Sequence, residues 1–194
     1  HGTRVGLVSR KHAGTGVTKP LVFDGCDALI TNEADLPICT IHADCIPVLF
    51  YDPVHRAVGT AHSGWRGTRD GIAGKVAAEM QKAFGTEPAQ LQTVIGPGIC
   101  RDCFVVDEDV YRAFCEVYGV SGETQTYMGP HPFQPGKWQI DLKAFVRYSL
   151  LAAGVADENI DIAEACTCCD GTRFFSHRRD RGDNGAMASV ICLC

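Results

Sequence analysis

Residues 39–67 read CTIHADCIPVLFYDPVHRAVGTAHSGWRG, and this stretch decides the fold class. Residues 38–51 and 57–62 are rich in the β-branched and aromatic side chains that strands favour. Between them, the residues DPVH at 52–55 have the composition of a tight turn. The pattern therefore predicts an antiparallel hairpin.

The turn also predicts the register of this hairpin. If Tyr51 pairs with Arg56, Cys45 lies directly opposite His62, with Cβ atoms about 4.5–5.5 Å apart. A thiolate and an imidazole at that separation can share a metal ion such as zinc, or act as a Cys–His nucleophile pair. The same two side chains can also be purely structural. Pro47 removes a donor from the ladder and can mark a bulge that shifts the register.

Two further polar residues lie next to Cys45 in the sequence. His42 and Asp44 are each an odd number of residues away, so in a continuous strand they point to the opposite face. In that arrangement Asp44 has a proton-transfer role only if the strand is irregular there. His12, in the polar loop 10–20, is expected to be solvated or to reach the site as part of a lid.

Outside the hairpin, strands and helices mix without strict alternation. Strands are predicted at 3–9, Ala28–Thr31, 92–96, Ile160–Cys166, Arg173–His177 and Met187–Leu193, and helices at Asp70–Phe84, Asp107–Tyr118 and Asp141–Ala153. This mixture favours an α+β fold, a layered domain with mixed β-sheets flanked by helices. No linker or internal repeat divides residues 1–194, so we expect a single domain. The chain starts at His1 without a methionine, so we expect that part of the native N-terminus is missing.

The composition excludes several classes of partner. The chain has 194 residues, of which 45% are hydrophobic and 21% charged, as in ordinary globular proteins. A formal net charge of −5 disfavours a nucleic-acid partner. No apolar run approaches the roughly 20 residues of a membrane helix, so no membrane partner is expected.

Eleven cysteines are many for a chain of this length, and their number is odd. Their irregular spacing favours reduced thiols in a reducing compartment, and therefore a cytoplasmic protein. Two CxxC pairs, Cys100 with Cys103 and Cys166 with Cys169, could together bind a structural zinc ion as a rival metal site. The gap between the pairs is far longer than in a zinc ribbon.

The residues after His62 have the pattern of an anion site. Gly64 precedes a predicted helix, whose N-terminal N–H groups favour a phosphate, and Arg66 adds a charged donor. The same pattern also fits an ordinary turn with a solvated arginine. Trp65 can stack on a base or pack in the core. Arg178, in the segment RFFSHRRDRG, is a further candidate for an anion contact, or is solvated.

Four motifs in this order, TIHADCIPV, AHSGWRG, GPGI and CT…RFFSHRRD, resemble the YfiH/YlmD family. Members of that family carry the label multicopper polyphenol oxidase or laccase domain. The resemblance covers essentially the whole chain. It implies an α+β fold with mixed sheets, related in architecture to a class of cysteine-dependent deamidases. It also implies purine nucleoside phosphorylase activity together with adenosine deaminase activity.

The resemblance further implies a His–Cys–His set that is both catalytic and metal-binding. Cys45 matches the cysteine of the ADC-x-P motif, His62 matches the histidine of H-[AS]-GWRG, and His1 matches the upstream histidine of the family. Zinc is the expected metal, with copper as the alternative, and a fourth position is left open for water or substrate. The chain departs from the family pattern at His42, where a small or hydroxyl residue is common, and at Val105, which replaces a glutamate.

The leading hypothesis is therefore a metal-dependent purine nucleoside phosphorylase with adenosine deaminase activity. Its partners are phosphate and a purine nucleoside: adenosine, inosine or methylthioadenosine. One alternative is copper-dependent oxidation of phenols, for which seven histidines are few. Another is a non-catalytic protein, such as one for quality control of peptidoglycan precursors, that uses the same Cys–His site. The sequence does not indicate an oligomeric state.

Overall fold

The computed structural model describes residues 2–194, so the prediction for His1 lies outside the described residues. The strands are β1 (Arg4–Leu7), β2 (Cys26–Thr31), β3 (Ile38–His42), β4 (Ile46–Asp52), β5 (Ala57–Ser63), β6 (Gln92–Ile95), β7 (Val105–Val106), β8 (Met128–Pro130), β9 (Trp138–Ile140), β10 (Ile160–Ile162) and β11 (Met187–Ile191). The helices are α1 (Trp65–Arg69), α2 (Ile72–Phe84), α3 (Glu108–Tyr118), α4 (Thr124–Tyr127), α5 (Leu142–Ala152) and α6 (His177–Asp180). No helix in this part of the chain is long and apolar enough to cross a lipid bilayer.

A mixed six-stranded sheet, in the order β1-β2-β5-β4-β6-β10, forms the middle layer. Its two outer pairs are parallel and its inner pairs are antiparallel. Two smaller antiparallel sheets, β11-β3 and β7-β9-β8, complete the strands. The predicted α+β fold with mixed sheets is confirmed.

The two faces of the central sheet are covered differently. Ala57 and Ala61 of β5 belong to the main hydrophobic core, where α2 packs on the sheet and α5 packs on α2. Val58, which points the opposite way, belongs to a smaller core that also contains Ile38 of β3. His62 is four residues after Val58 on the same strand, so its side chain points to the same face, which β3 and β11 cover.

The β4–β5 hairpin forms as predicted, but its register differs from the prediction by two residues. Asp52 pairs with Ala57, and Pro47 instead of Cys45 lies opposite His62. The predicted direct Cys45–His62 pairing is therefore wrong. Because the shift is an even number of residues, each β4 side chain still points to the face of the sheet that was predicted for it. The pairing is continuous through Pro47, so Pro47 introduces no bulge.

The turn itself explains the different register. The buried Asp52 carboxylate accepts hydrogen bonds from the amides of Val54 at 2.9 Å and His55 at 3.0 Å. This Asx turn makes Asp52 the last residue of the strand instead of the first residue of the loop. Arg56 then closes the turn with a φ of 50°.

Helices α2, α3 and α5 confirm the three predicted helices, but the predicted strand at Arg173–His177 is wrong. Side-chain hydrogen bonds form turns there instead. The Asp170 carboxylate accepts a hydrogen bond from the Thr172 hydroxyl at 2.7 Å, and the Ser176 hydroxyl accepts one from the Arg179 amide at 3.1 Å. Ser176 thereby caps α6.

Candidate active site

His42 and His62 lie side by side, although strand alternation placed His42 on the other face. Their rings are stacked, with centroids 4.8 Å apart and an interplanar angle of 12°. Residues 43–45 form a bend in which Asp44 has a φ of 83°. Strands β3 and β4 are therefore separate strands in different sheets, and the alternation argument fails for His42.

The orientation of the His62 ring comes from a backbone contact. Its Nδ1 lies 2.8 Å from the carbonyl oxygen of Ile41. A carbonyl only accepts, so Nδ1 carries the proton and Nε2 carries the lone pair. Zinc-binding histidines commonly use this arrangement, with the outer nitrogen donating to a carbonyl.

The His42 ring is neutral at neutral pH. Burial, and then the neighbouring His62, lower the pKa of His42 from 6.5 to about 4. Its Nε2 lies 2.7 Å from the Thr40 hydroxyl, which in turn lies 2.9 Å from the Thr60 hydroxyl of β5. These hydrogen bonds hold β3 against the central sheet beside His62.

Cys45 lies in acidic surroundings. Burial, and then the negative charges of Asp44 and Asp27, raise the pKa of the Cys45 thiol to about 11. The thiol therefore stays protonated at neutral pH unless a cation compensates the thiolate. This disfavours a simple Cys–His nucleophile pair, because the thiolate is the nucleophilic form.

Asp44 is held by residues far away in the sequence. Its carboxylate accepts hydrogen bonds from the Thr167 hydroxyl and from the Arg178 amide, both at 2.6 Å. The irregular backbone that a proton-transfer role requires is present, but both carboxylate oxygens are already occupied. The geometry therefore gives Asp44 a positioning role.

A cleft of about 780 Å³ opens beside His62, whereas Cys45, His42 and Asp44 do not line it. Its lining includes His62, Asp27, Phe23, Leu21 and His12. The volume is within the range of small-molecule sites. His12 lines the same cleft. Sequence reasoning missed Phe23 and Asp27, because only the fold brings the start of β2 next to the end of β5.

Gly2 also lies close to this site. The Asp27 carboxylate accepts a hydrogen bond from the Gly2 amide. A Cβ on Gly67 of α1 would lie 3.2 Å from the Gly2 carbonyl oxygen. Gly2 therefore lies beside the junction of β5 and α1, which immediately follows His62.

The predicted anion-binding residues lie outside the lining of the cleft. Gly64 is buried at the start of α1, but α1 spans only residues 65–69 and so has a weak dipole. Trp65 packs partly against the core, with the Arg66 guanidinium 4.3 Å from its ring centroid, which favours the packing role. Arg66 is exposed.

The Arg178 side chain donates hydrogen bonds to the carbonyls of Cys103 at 2.9 Å and Val105 at 2.8 Å.

Comparison with known proteins gives consistent matches. Residues 1–194 match the family described as "Multi-copper polyphenol oxidoreductase laccase". "Purine nucleoside phosphorylase YlmD" from Geobacillus stearothermophilus is 37% identical over 195 residues, which cover 98% of this chain and 69% of the relative. "Adenosine deaminase RL5" from an unknown prokaryotic organism is 34% identical, covering 92% of this chain and 67% of the relative. The crystal structure of the Bacillus licheniformis hypothetical protein YfiH is 34% identical and superposes with a TM-score of 0.90, covering 100% of this chain and 72% of that one.

Proposed function

Because the chain belongs to the multi-copper polyphenol oxidoreductase laccase family, we propose that it is a metal-dependent purine nucleoside phosphorylase that also deaminates adenosine. Two relatives carry these activities in their names. The observation that supports the proposal most is the placement of His62. Its ring is oriented by the Ile41 carbonyl at the edge of a cleft of nucleoside-binding size, and Cys45 directly precedes β4, the strand that pairs with the strand of His62. Adenosine and inosine are the proposed substrates, with methylthioadenosine as a further one.

Cys45, His62 and His1 hold the metal in this proposal. A thiol and an oriented imidazole are donors that zinc accepts. Within residues 2–194 Cys45 and His62 belong to no group of three metal-capable side chains, so the proposed set depends on His1. Copper binds the same donors, but within residues 2–194 no cluster of three or more histidines is present for a multicopper centre. When bound, zinc would supply Lewis-acid polarisation and a water of lowered pKa.

The chain's own residues bind and orient the nucleoside. Phe23 and His12 are in edge-to-face contact, with centroids 4.9 Å apart, and they form an aromatic side of the cleft where a purine ring can pack. Asp27, on the same cleft, holds Gly2 and so orders the start of the chain next to His62.

Phosphate is assigned to Arg66. Its guanidinium is exposed and lies over Trp65 directly after the β5 strand that carries His62, so it is available to an anion. Arg178 is not assigned to phosphate, because its side chain already donates to two carbonyls. Its backbone amide instead supports Asp44. In this proposal residues 1–194 act as one domain.

Product analysis tests the proposed function. Zinc-loaded protein is incubated with adenosine in the presence and absence of phosphate. We expect adenine and ribose 1-phosphate only when phosphate is present, and inosine in both samples. Oxygen uptake with a phenol but no purine product would contradict the proposal. So would tight binding of adenosine without turnover.

A further inference from the structure

The structure brings the two CxxC pairs together at a place separate from Cys45 and His62. The sulfur atoms of Cys100, Cys103, Cys166 and Cys169 all lie within 4.8 Å of one another. The Sγ–Sγ distances are 4.0 Å for Cys100–Cys169 and 3.4 Å for Cys103–Cys169. A tetrahedron with Zn–S bonds near 2.3 Å has edges of about 3.8 Å, so the four sulfurs already enclose a volume of the right size.

Each CxxC pair is shaped by its own backbone turn. The amides of Cys103 and Phe104 both donate to the Cys100 carbonyl, at 3.2 Å and 2.9 Å. In the second pair the Asp170 amide donates to the Cys166 carbonyl at 3.1 Å. These turns point both cysteines of a pair in one direction, as in the paired ligand loops of structural zinc sites.

Main-chain contacts also hold the two turns against each other. Gly98 forms a parallel bridge with Cys166, and its carbonyl accepts a hydrogen bond from the Thr167 amide at 3.3 Å. The Cys100 amide donates to the Cys166 sulfur at 3.2 Å. An N–H group directed at a sulfur stabilises the thiolate that a metal requires.

A buried lysine beside the cluster provides independent support. The Lys143 ammonium donates to the carbonyls of Ala163 at 2.5 Å and Ala165 at 2.9 Å, and only 8% of the residue is exposed. Among the described residues it forms no ion pair with a carboxylate, and the acidic groups close enough to act on it electrostatically are Cys166, Asp141 and Cys100. A buried ammonium group needs a compensating negative charge. Four thiolates around one zinc ion leave a double negative charge, which meets that need.

We propose that Cys100, Cys103, Cys166 and Cys169 form a tetrathiolate site for a structural zinc ion. The site is independent of the proposed phosphorylase reaction, because it shares no ligand with Cys45 and His62. Disulfides within the cluster are the chemical alternative. They need sulfurs about 2.05 Å apart, however, and all four thiols are free.

The zinc ion would cross-link two loops that support Asp44. The Asp44 carbonyl accepts a hydrogen bond from the Ile99 amide at 2.9 Å, next to Cys100. Its carboxylate accepts one from the hydroxyl of Thr167, next to Cys166. The cluster therefore lies directly behind the bend that precedes Cys45 and stabilises it.

Cobalt(II) binding to the metal-free protein tests the site. We expect the d–d and charge-transfer absorption of a tetrahedral tetrathiolate complex, and its loss when two equivalents of zinc per chain, enough for both proposed sites, are added. Cys100→Ser and Cys169→Ser should each abolish this spectrum. Cys45→Ala, which removes a ligand of the other site, and Cys194→Ser, which changes an exposed cysteine outside both sites, should retain it. The proposal is overturned if the tetrathiolate spectrum persists in Cys100→Ser and Cys169→Ser, or if it is lost in Cys45→Ala.

A second measurement uses the unaltered protein and does not depend on how the variants fold. Zinc-loaded and chelator-treated samples are alkylated, and the modified cysteines are identified by mass spectrometry. We expect zinc to protect the four cluster cysteines, while Cys194 reacts equally in both samples. Equal alkylation with and without zinc, or disulfides among the four, overturns the proposal.

Discussion

At the residue scale, two stacked histidines have different tasks because their hydrogen bonds differ. The Ile41 carbonyl sets the tautomer of His62 and leaves Nε2 as the electron-pair donor. His42 is bonded to the Thr40 hydroxyl, and burial keeps it neutral. We infer that His42 orients His62 by stacking. Because His42 is neutral, it adds no positive charge that would repel a metal ion at the site.

The low pKa of His42 predicts a pH dependence of stability. The folded pKa of about 4 lies below the ordinary 6.5, so between these values the unfolded chain binds the proton more tightly. The free energy of unfolding should therefore fall as the pH drops from 6.5 to 4, by up to about 3 kcal/mol, and then level off for this group. Urea unfolding across this pH range measures the effect.

His42→Gln should remove this contribution, whereas His131→Gln, in an exposed loop segment, should retain it. An identical pH dependence in the unaltered protein and in His42→Gln would show that His42 does not carry a depressed pKa.

The assignment of phosphate to Arg66 makes a kinetic prediction. Arg66→Ala should raise the KM for phosphate about tenfold, as loss of a charged hydrogen bond would, and leave the KM for inosine nearly unchanged. Arg112→Ala is the matched control, because Arg112 is exposed on α3, where it forms an ion pair with Glu108. Equal increases in both KM values after Arg66→Ala would count against the phosphate contact.

At the scale of elements, the hairpin shows what local sequence determines. The two hairpin strands, the faces of their residues and a four-residue loop could be predicted from residues 46–62, because alternation and turn chemistry are local. The exact register could not, since it depends on whether Asp52 ends the strand or starts the turn. Its Asx hydrogen bonds decide that choice.

The bend at 43–45 could not be predicted for a different reason. Asp44 adopts a positive φ, which is unfavourable for a non-glycine residue unless other contacts compensate. The compensating partners, Thr167 and Arg178, are more than a hundred residues away in the sequence. The proximity of His42 to His62 follows from this bend, so the sequence alone missed it.

The hydrogen bond between Thr167 and Asp44 provides a test at the scale of elements. Thr167→Val keeps the shape of the buried side chain but removes the hydroxyl that donates to Asp44 at 2.6 Å. We expect a loss of about 1.5–3 kcal/mol in stability and a lower kcat, because the bend before Cys45 loosens. Thr172→Val, which removes the exposed hydrogen bond from Thr172 to Asp170, should change the stability and the kcat much less. Urea unfolding and steady-state kinetics measure the two effects, and a Thr167→Val protein that matches the unaltered one in both would contradict this role.

At the scale of the whole molecule, the site forms where layers meet. The central sheet contributes His62 and the bend before β4, the β3–β11 layer contributes His42, and the segment before β2 contributes Phe23 to the cleft. The motifs around Cys45 and His62 identified the candidate site in the sequence. The cleft and the four-cysteine cluster depend on contacts between distant segments, so local patterns could only suggest them.

The central claim is that Cys45 is a metal ligand essential for phosphorolysis. The most direct measurement compares Cys45→Ala with Cys194→Ala, whose changed residue is exposed and distant in sequence. Both purified proteins are assayed for bound zinc and for phosphate-dependent release of hypoxanthine from inosine. We predict that Cys45→Ala loses one zinc ion per chain and its phosphorolysis, while Cys194→Ala retains both. Phosphorolysis by Cys45→Ala at the rate of the unaltered protein would contradict the account.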